Sequence, residues 1–233
     1  MSNFGNRVYS KVNRPEKELV EQFSNLEVAD ISDCMNKMGC IDSSIRPFND
    51  VNLLGTAVTV KVPGGNNLMF HAALSLAKEG DVIVVDGEGY TGRGICGENM
   101  IEIARQKGIR GFVVDGAIRD SKAAVNSKDF PVFAKMIQPN GAAKGNGPGE
   151  VNVPVSVGGT VIYPGDIIVG DEDGVVAVRP QYAETIAAET KELAEKQAKN
   201  LELIKAGKSD RSWVTKALEN AGYKILDQTW DEN

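Results

Sequence analysis

The sequence predicts an α/β fold that ends in a helical tail, and three features carry this prediction. Apolar strand patterns at residues 82–86 and 111–115 alternate with helical patterns, as in a parallel sheet with crossover helices. Short apolar runs separated by glycine, proline and aspartate follow between residues 151 and 178, which indicates closely spaced strands. A charged helical pattern occupies the residues beyond Pro180.

The sequence before residue 82 predicts three helices and one strand. Pro15 suits the first turn of a helix, and Gly39 marks the end of the second. The strand alternates, is rich in β-branched residues and is stopped by Pro63-Gly64-Gly65. In order, the predicted elements are helices over 15–24 and 28–38, a strand over 54–62, and a helix from Asn66 or Asn67 to Lys78.

Turn residues between apolar runs place the later elements. A glycine-rich loop at 87–92 is predicted before a helix that Gly97 opens. Without an internal repeat or linker, the chain is expected to be a single domain, 1–233, with a core at about 25–180 and a helical extension at about 181–233. The later elements are strands over 131–137, 151–157, 160–163, 166–170 and 174–178, and helices up to about Ala206 and from Asp210 to Asn220.

Composition excludes several classes of protein. The chain has 233 residues, 42% of them hydrophobic, and a formal charge of -6, so it can bury a large core but offers no cationic surface for nucleic acid. Its three cysteines lack a C-x-x-C pair, which argues against a disulfide framework or zinc site. The N-terminus has no apolar signal region and no run is long enough to span a membrane, so a cytoplasmic protein is expected.

The run Gly87-Glu88-Gly89-Tyr90-Thr91-Gly92 spells G-x-G-x-x-G directly after a strand, the pattern of a dinucleotide site. Four further residues separate it from the helix at Gly97, whereas the third glycine of that fingerprint belongs in the helix's opening turn. A strand and a helix also precede it. A nucleotide-dependent enzyme therefore stays only as a minor alternative.

Chemistry is predicted where the strands at 82–86 and 111–115 end, because parallel neighbours carry their ligands at that edge. The N–H groups of Gly97-Glu98-Asn99-Met100 are free donors at a helix N-terminus, which suit a carboxylate or phosphate. Arg119 adds a planar guanidinium group, whose N–H donors can bind both oxygens of a carboxylate. Asp120 and Glu98 are oxygen ligands that Mg²⁺ or Mn²⁺ accepts. The structural alternative is that these charges only cap two helices.

Five landmarks in a fixed order resemble one known family. Glu98 is followed after twenty residues by Arg119-Asp120, and the other landmarks are 67–71, 80–86, 149–155 and 164–176. Together they are similar to the family shared by the regulator of ribonuclease activity A and the class II pyruvate aldolases, such as 4-hydroxy-4-methyl-2-oxoglutarate aldolase. The resemblance covers about residues 25–210. It implies an α-β-β-α sandwich of the swivelling-domain type, assembled as a homotrimer or a dimer of trimers.

The resemblance also implies roles for individual residues. Gly97, Glu98, Asn99, Met100 and Arg119 would hold the pyruvate part of a keto acid. Asp120 would bind the divalent metal, and Glu98 would lie in its outer shell. An acidic residue of a neighbouring subunit's C-terminal helix would complete the site, with Glu192 and Glu195 as the candidates.

The implied reaction is retro-aldol cleavage of a 4-hydroxy-2-oxo acid to pyruvate and a second carbonyl compound, with decarboxylation of oxaloacetate through the same enolate. The alternative within the family is a regulator that binds a ribonuclease or another protein. His71, the single histidine, is expected to pack or cap a helix. Cys96 lacks a neighbouring base and is not expected to be a nucleophile.

Overall fold

The computed structural model describes residues 4–143, 145 and 147–232. The described chain forms eleven strands, seven α-helices and a short 3₁₀ turn. The strands are β1 (Asn6–Val8), β2 (Arg46–Pro47), β3 (Leu53–Lys61), β4 (Asp81–Gly94), β5 (Gly111–Ile118), β6 (Val132–Ile137), β7 (Gly149–Val151), β8 (Val155–Val157), β9 (Thr160–Ile162), β10 (Ile167–Asp171) and β11 (Gly174–Val178). The helices are α1 (Lys17–Glu21), α2 (Val28–Cys34), α3 (Leu68–Leu76), α4 (Glu98–Gln106), α5 (Ser121–Val125), α6 (Pro180–Lys205) and α7 (Ser212–Asn220).

The centre of the fold is a run of four parallel strands, β3, β4, β5 and β6. Each is joined to the next by one helix, α3, α4 or α5, which gives the repeated strand-helix-strand unit predicted from the alternating patterns. The antiparallel pair β10–β11 joins the outer side of β3. β7 also pairs with β3, β1 pairs with β7, and β2 covers the far edge beside β6.

Alternate side chains at residues 82–85 of β4 point into two different cores, which explains why this part of the strand is apolar throughout. Ile83 and Val85 belong to a core formed with α3 and α4, whereas Val82 and Val84 belong to a core shared with β8 to β11. The other face of β10–β11 packs on α2 and the start of α6. The layers run helix, sheet, sheet, helix, and the predicted α/β class with this sandwich arrangement is confirmed.

Two predicted elements differ from the structure. Residues 87–92, predicted as a loop, lie inside β4, where Tyr90 pairs with Gly116. The glycines serve close packing: a Cβ added at Gly87 would lie 2.8 Å from the backbone oxygen of Asp115. The predicted strand 151–157 is interrupted because Asn152 adopts a left-handed conformation with φ of 57°, which breaks a strand.

The chain divides into two compact units, Met1–Lys191 and Glu192–Asn233. The first contains the sheets and their cores, and the second contains the end of α6 together with α7. That these units form a single domain with a helical extension stays a prediction. In the described part of the chain, no helix is long and apolar enough to cross a membrane.

Candidate active site

The candidate site lies where β4 and β5 end side by side. The backbone of the two strands stays connected past that edge, since the Ile95 N–H donates to the Ala117 carbonyl at 2.9 Å and the Arg119 N–H donates to the Cys96 carbonyl at 2.8 Å. A cavity of about 160 Å³ opens between them. It is lined by Asn67, His71, Gly94, Ile95, Cys96, Gly97, Asn99, Met100, Arg119, Asp120 and Ala142.

The N-terminus of α4 forms one wall of this cavity. Gly97 is extended, and its carbonyl accepts the Met100 N–H at 3.0 Å and the Ile101 N–H at 3.2 Å, so the helix begins there. The Glu98 N–H donates to Asp120 Oδ2 at 3.2 Å. Among the described residues, the N–H groups of Gly97 and Asn99 have no hydrogen-bond partner. Two free donors therefore remain beside the cavity for an anion.

Arg119 and Asp120 also line the cavity, next to the N-terminus of α4, and form a half-exposed ion pair. Arg119 Nε lies 3.2 Å from Asp120 Oδ2, and the side chains are 48% and 40% exposed. Asp120 is left-handed, with φ of 55° and ψ of 46°, a conformation that aspartate tolerates better than most residues. Oδ1 has no partner among the described residues. One carboxylate oxygen is thus held while the other is available to a ligand.

Three glycines give the site its close fit. A Cβ added at Gly94 would lie 2.9 Å from Arg119 Cβ, and one added at Gly141 would lie 2.7 Å from Arg119 Nη1. One added at Gly97 would overlap Asp120 Oδ2. Real Cβ atoms almost never make contacts under 3.0 Å, so larger residues at these positions would displace Arg119 or Asp120.

Two wider recesses adjoin the cavity and share Arg119 with it. One, of about 680 Å³, is lined by Asn67, Leu68, His71, Arg119, Gly141, Ala142, Ala143 and Gly145. The other, of about 520 Å³, is lined by Glu98, Arg119, Asp120, Ser121, Lys122, Ala123, Ile137 and Pro139. Glu98 therefore faces the second recess, while the other five predicted site residues line the central cavity.

The donor set suits a hard divalent cation held by few protein atoms. Within the described ranges there is no group of three histidine, cysteine or acidic residues that could hold a metal. Mg²⁺ is commonly bound by one or two carboxylates and keeps its remaining waters. The free Oδ1 of Asp120 fits that mode, so the residues present are compatible with the implied Mg²⁺ or Mn²⁺.

Sequence reasoning did not assign two polar residues of the cavity, Asn67 and His71, to the site. His71 is exposed and lines both the cavity and the first recess, a position beyond the packing or capping role expected of it. The Asn67 side chain donates to the Ile95 carbonyl at 3.1 Å, which ties α3 to the end of β4. Because α3 follows β3, its first turn lies on the same sheet edge, and this topology could have identified both residues.

Cys96 lies beneath the cavity as a protonated thiol. Burial raises the pKa of the Cys96 thiol well above its ordinary value, and the Asp120 carboxylate nearby raises that pKa further. A thiol in this environment is a poor nucleophile, because the thiolate is the reactive form. Cys96 contributes apolar surface to the cavity lining, together with Met100 and Ile95.

Comparisons with known proteins agree with the resemblance seen in the sequence. The RraA-like family, described as Aldolase/RraA, matches residues 28–177. A protein of Halalkalibacterium halodurans, provisionally named a 4-hydroxy-4-methyl-2-oxoglutarate aldolase, is 39% identical over 181 residues, which is 77% of this chain and 85% of the relative.

Two solved structures share the fold. Streptomyces coelicolor RraAS2, described as an unusual member of the RNase ES inhibitor RraA family, has a TM-score of 0.73 and 27% identity, covering 81% of this chain and 98% of its own. The RNA-processing inhibitor RraA of Thermus thermophilis has a TM-score of 0.59 and 29% identity, covering 65% and 92%. The family match over residues 28–177 and the relative at 39% identity show that this chain belongs to the RraA-like family, described as Aldolase/RraA.

Proposed function

We propose that the protein is a divalent-metal-dependent lyase that cleaves a 4-hydroxy-2-oxo acid, of the 4-hydroxy-4-methyl-2-oxoglutarate type, to pyruvate and a second carbonyl compound. The same site would decarboxylate oxaloacetate. The observation that carries the proposal is the meeting of free N–H donors, the Arg119 guanidinium and the Asp120 carboxylate on one small cavity. The name of the relative at 39% identity supports it.

The pyruvate part of the substrate matches the central cavity. Its carboxylate would accept hydrogen bonds from the Gly97 and Asn99 N–H groups at the positive end of α4. The Arg119 guanidinium offers further donors for an oxygen of the same substrate. Ile95, Cys96 and Met100 give an apolar wall for the carbon chain, so the substrate would bind in one orientation.

Asp120 would hold the metal through its free Oδ1, while Oδ2 stays bound to Arg119 and to the Glu98 N–H. A divalent cation there would act as a Lewis acid toward the keto oxygen of the substrate. Arg119 would stabilise the negative charge that develops on that oxygen. Glu98, at the rim of the second recess, would orient a water that carries the C4 hydroxyl proton.

The surroundings of the site complete the proposal. We place the protein in the cytoplasm as a homotrimer or a dimer of trimers, in which Glu192 or Glu195 of a neighbouring copy completes each site. The family resemblance supports this assembly. The alternative is a regulator that binds a ribonuclease, favoured by the RraA proteins whose structures match at 27% and 29% identity.

The test is pyruvate release from oxaloacetate and from 4-hydroxy-4-methyl-2-oxoglutarate, with Mg²⁺ or Mn²⁺ and then with EDTA. Wild type is compared with Asp120→Ala and Asp120→Asn, and Asp50→Ala serves as a control because Asp50 is exposed and lines none of the cavities described. We expect turnover that requires the metal and is lost only in the Asp120 variants. A folded protein without turnover above the metal-only background would favour the regulator.

A further inference from the structure

We propose that Lys122 binds the second carboxylate of the substrate and thereby sets the preference for dicarboxylic over monocarboxylic 4-hydroxy-2-oxo acids. This inference rests on the proposed function. It follows from the recess of about 520 Å³ that shares Arg119 and Asp120 with the central cavity. A substrate whose pyruvate part fills the central cavity can extend into this recess without leaving the site.

Lys122 is the cation that the second recess adds to the site. It is exposed, and within the described residues its ammonium group has no ion pair or hydrogen bond. The other cation, Arg119, already pairs with Asp120. An ammonium group without a protein partner retains its donors for a ligand carboxylate, so Lys122 can bind an anion without first breaking a contact.

The charges that line the recess support a substrate with two carboxylates. Its four charged groups, Glu98, Arg119, Asp120 and Lys122, sum to zero. With a divalent cation at Asp120, a dianionic keto acid would bring the site back to neutrality, whereas a monoanion would leave a positive charge there. Ile137, Pro139 and Ala123 supply the apolar contacts for the carbons between the two carboxylates.

Binding affinity separates this role from catalysis. The probes are 2-oxoglutarate and 2-oxopentanoate, which have the same chain length and differ in the terminal carboxylate. Titration calorimetry of the full chain with Mg²⁺ would give both dissociation constants. Since exposed ion pairs are worth at most about 1 kcal/mol, we expect wild type to prefer 2-oxoglutarate by roughly fivefold. Lys122→Ala would bring that ratio to about one, while Lys122→Arg would largely retain it.

Lys128→Ala is the matched control, because Lys128 is also an exposed lysine but lines none of the cavities described. It would keep the wild-type ratio. Turnover would follow the same pattern: kcat/KM for 4-hydroxy-2-oxoglutarate would fall several-fold in Lys122→Ala, and kcat/KM for 4-hydroxy-2-oxopentanoate would not change. A ratio that stays fivefold in Lys122→Ala, or falls equally in Lys128→Ala, would overturn the inference.

Failure of the proposed function gives a different result. A wild-type protein that binds no keto acid and turns none over would remove both the proposed reaction and the role of Lys122. Exchange of the pyruvate methyl protons with deuterated solvent, followed by NMR, reports on the pyruvate part of the site alone. If both wild type and Lys122→Ala catalyse this exchange but have the same ratio of dissociation constants for the two keto acids, only the role of Lys122 would be refuted.

Discussion

Gly141→Ala should make the protein slightly more stable and markedly less active. The added Cβ would lie 2.7 Å from Arg119 Nη1, about 0.7 Å inside the 3.4 Å at which ordinary contact begins. Nη1 is the end of a flexible side chain, so the guanidinium can move aside without disturbing the sheet. A displacement approaching 1 Å at a catalytic group can lower a rate by up to about a hundredfold, and we expect kcat/KM to fall roughly tenfold.

The effect on stability has the opposite sign. Gly141 does not have a positive φ. Replacing such a glycine by alanine reduces the conformational entropy of the unfolded chain and raises the free energy of unfolding by about 0.4–1 kcal/mol. For a chain of this length that corresponds to an increase in Tm of roughly 1–4 °C. Steady-state kinetics of pyruvate release and a thermal melt measure the two effects on the same preparation.

Gly116→Ala is the control for this prediction. It makes the same chemical change, its added Cβ would lie 3.3 Å from the Tyr90 carbonyl oxygen, and Gly116 lines none of the described cavities. We expect activity within about twofold of wild type, since only a small adjustment is needed. If Gly141→Ala kept full activity for every keto acid, the position of Arg119 would not matter and the assigned role of its guanidinium would be wrong.

Two further predictions concern stability and reactivity. The Arg7 guanidinium donates to Glu150 and holds the pKa of that buried carboxyl below its ordinary value. The ion pair therefore stabilises the folded protein above the unfolded-state pKa of Glu150, and this stabilisation is lost as pH falls through the folded-state pKa. Arg7→Ala should therefore lower Tm at pH 7, and the gap to wild type should shrink as pH falls through the folded-state pKa of Glu150. A gap independent of pH would contradict this. In native protein, iodoacetamide should modify exposed Cys40 and spare buried Cys96. Mass spectrometry would refute this if both reacted equally fast.

The sequence predicted the frame of the fold because that frame depends on local patterns. The alternation of apolar strands and helices from residue 82 onward is visible in the chain, and parallel pairing of β4 with β5 then brings Gly97 to Arg119-Asp120. The spacing between Glu98 and Arg119 follows from the length of α4 and β5. Local pattern and topology therefore sufficed to place six residues at one edge of the sheet.

Other features depended on contacts between distant residues and could not be predicted. The glycines at 87–92 resembled a loop, but Gly87 is required by the backbone of Asp115 on the next strand. Nothing local shows that contact. The division of residues 151–157 into two strands follows from the left-handed Asn152, whose side chain donates to the Tyr9 carbonyl at 2.7 Å.

The uneven pairing of β4 with β5 lets the two strands leave their register after Asp86 and regain it at Gly94, just before the site. Seven residues of β4 lie between the pairs Asp86↔Asp115 and Gly94↔Ala117, opposite the single residue Gly116 of β5. The flanking pairs fix the frame on both sides of this stretch, so its extra residues can vary in number without moving Gly97 or Arg119, provided that Gly87 keeps its close approach to the Asp115 backbone. Residues 87–93 line neither the central cavity nor the two recesses. The outer surface of the protein can therefore change here without a change in the chemistry of the site.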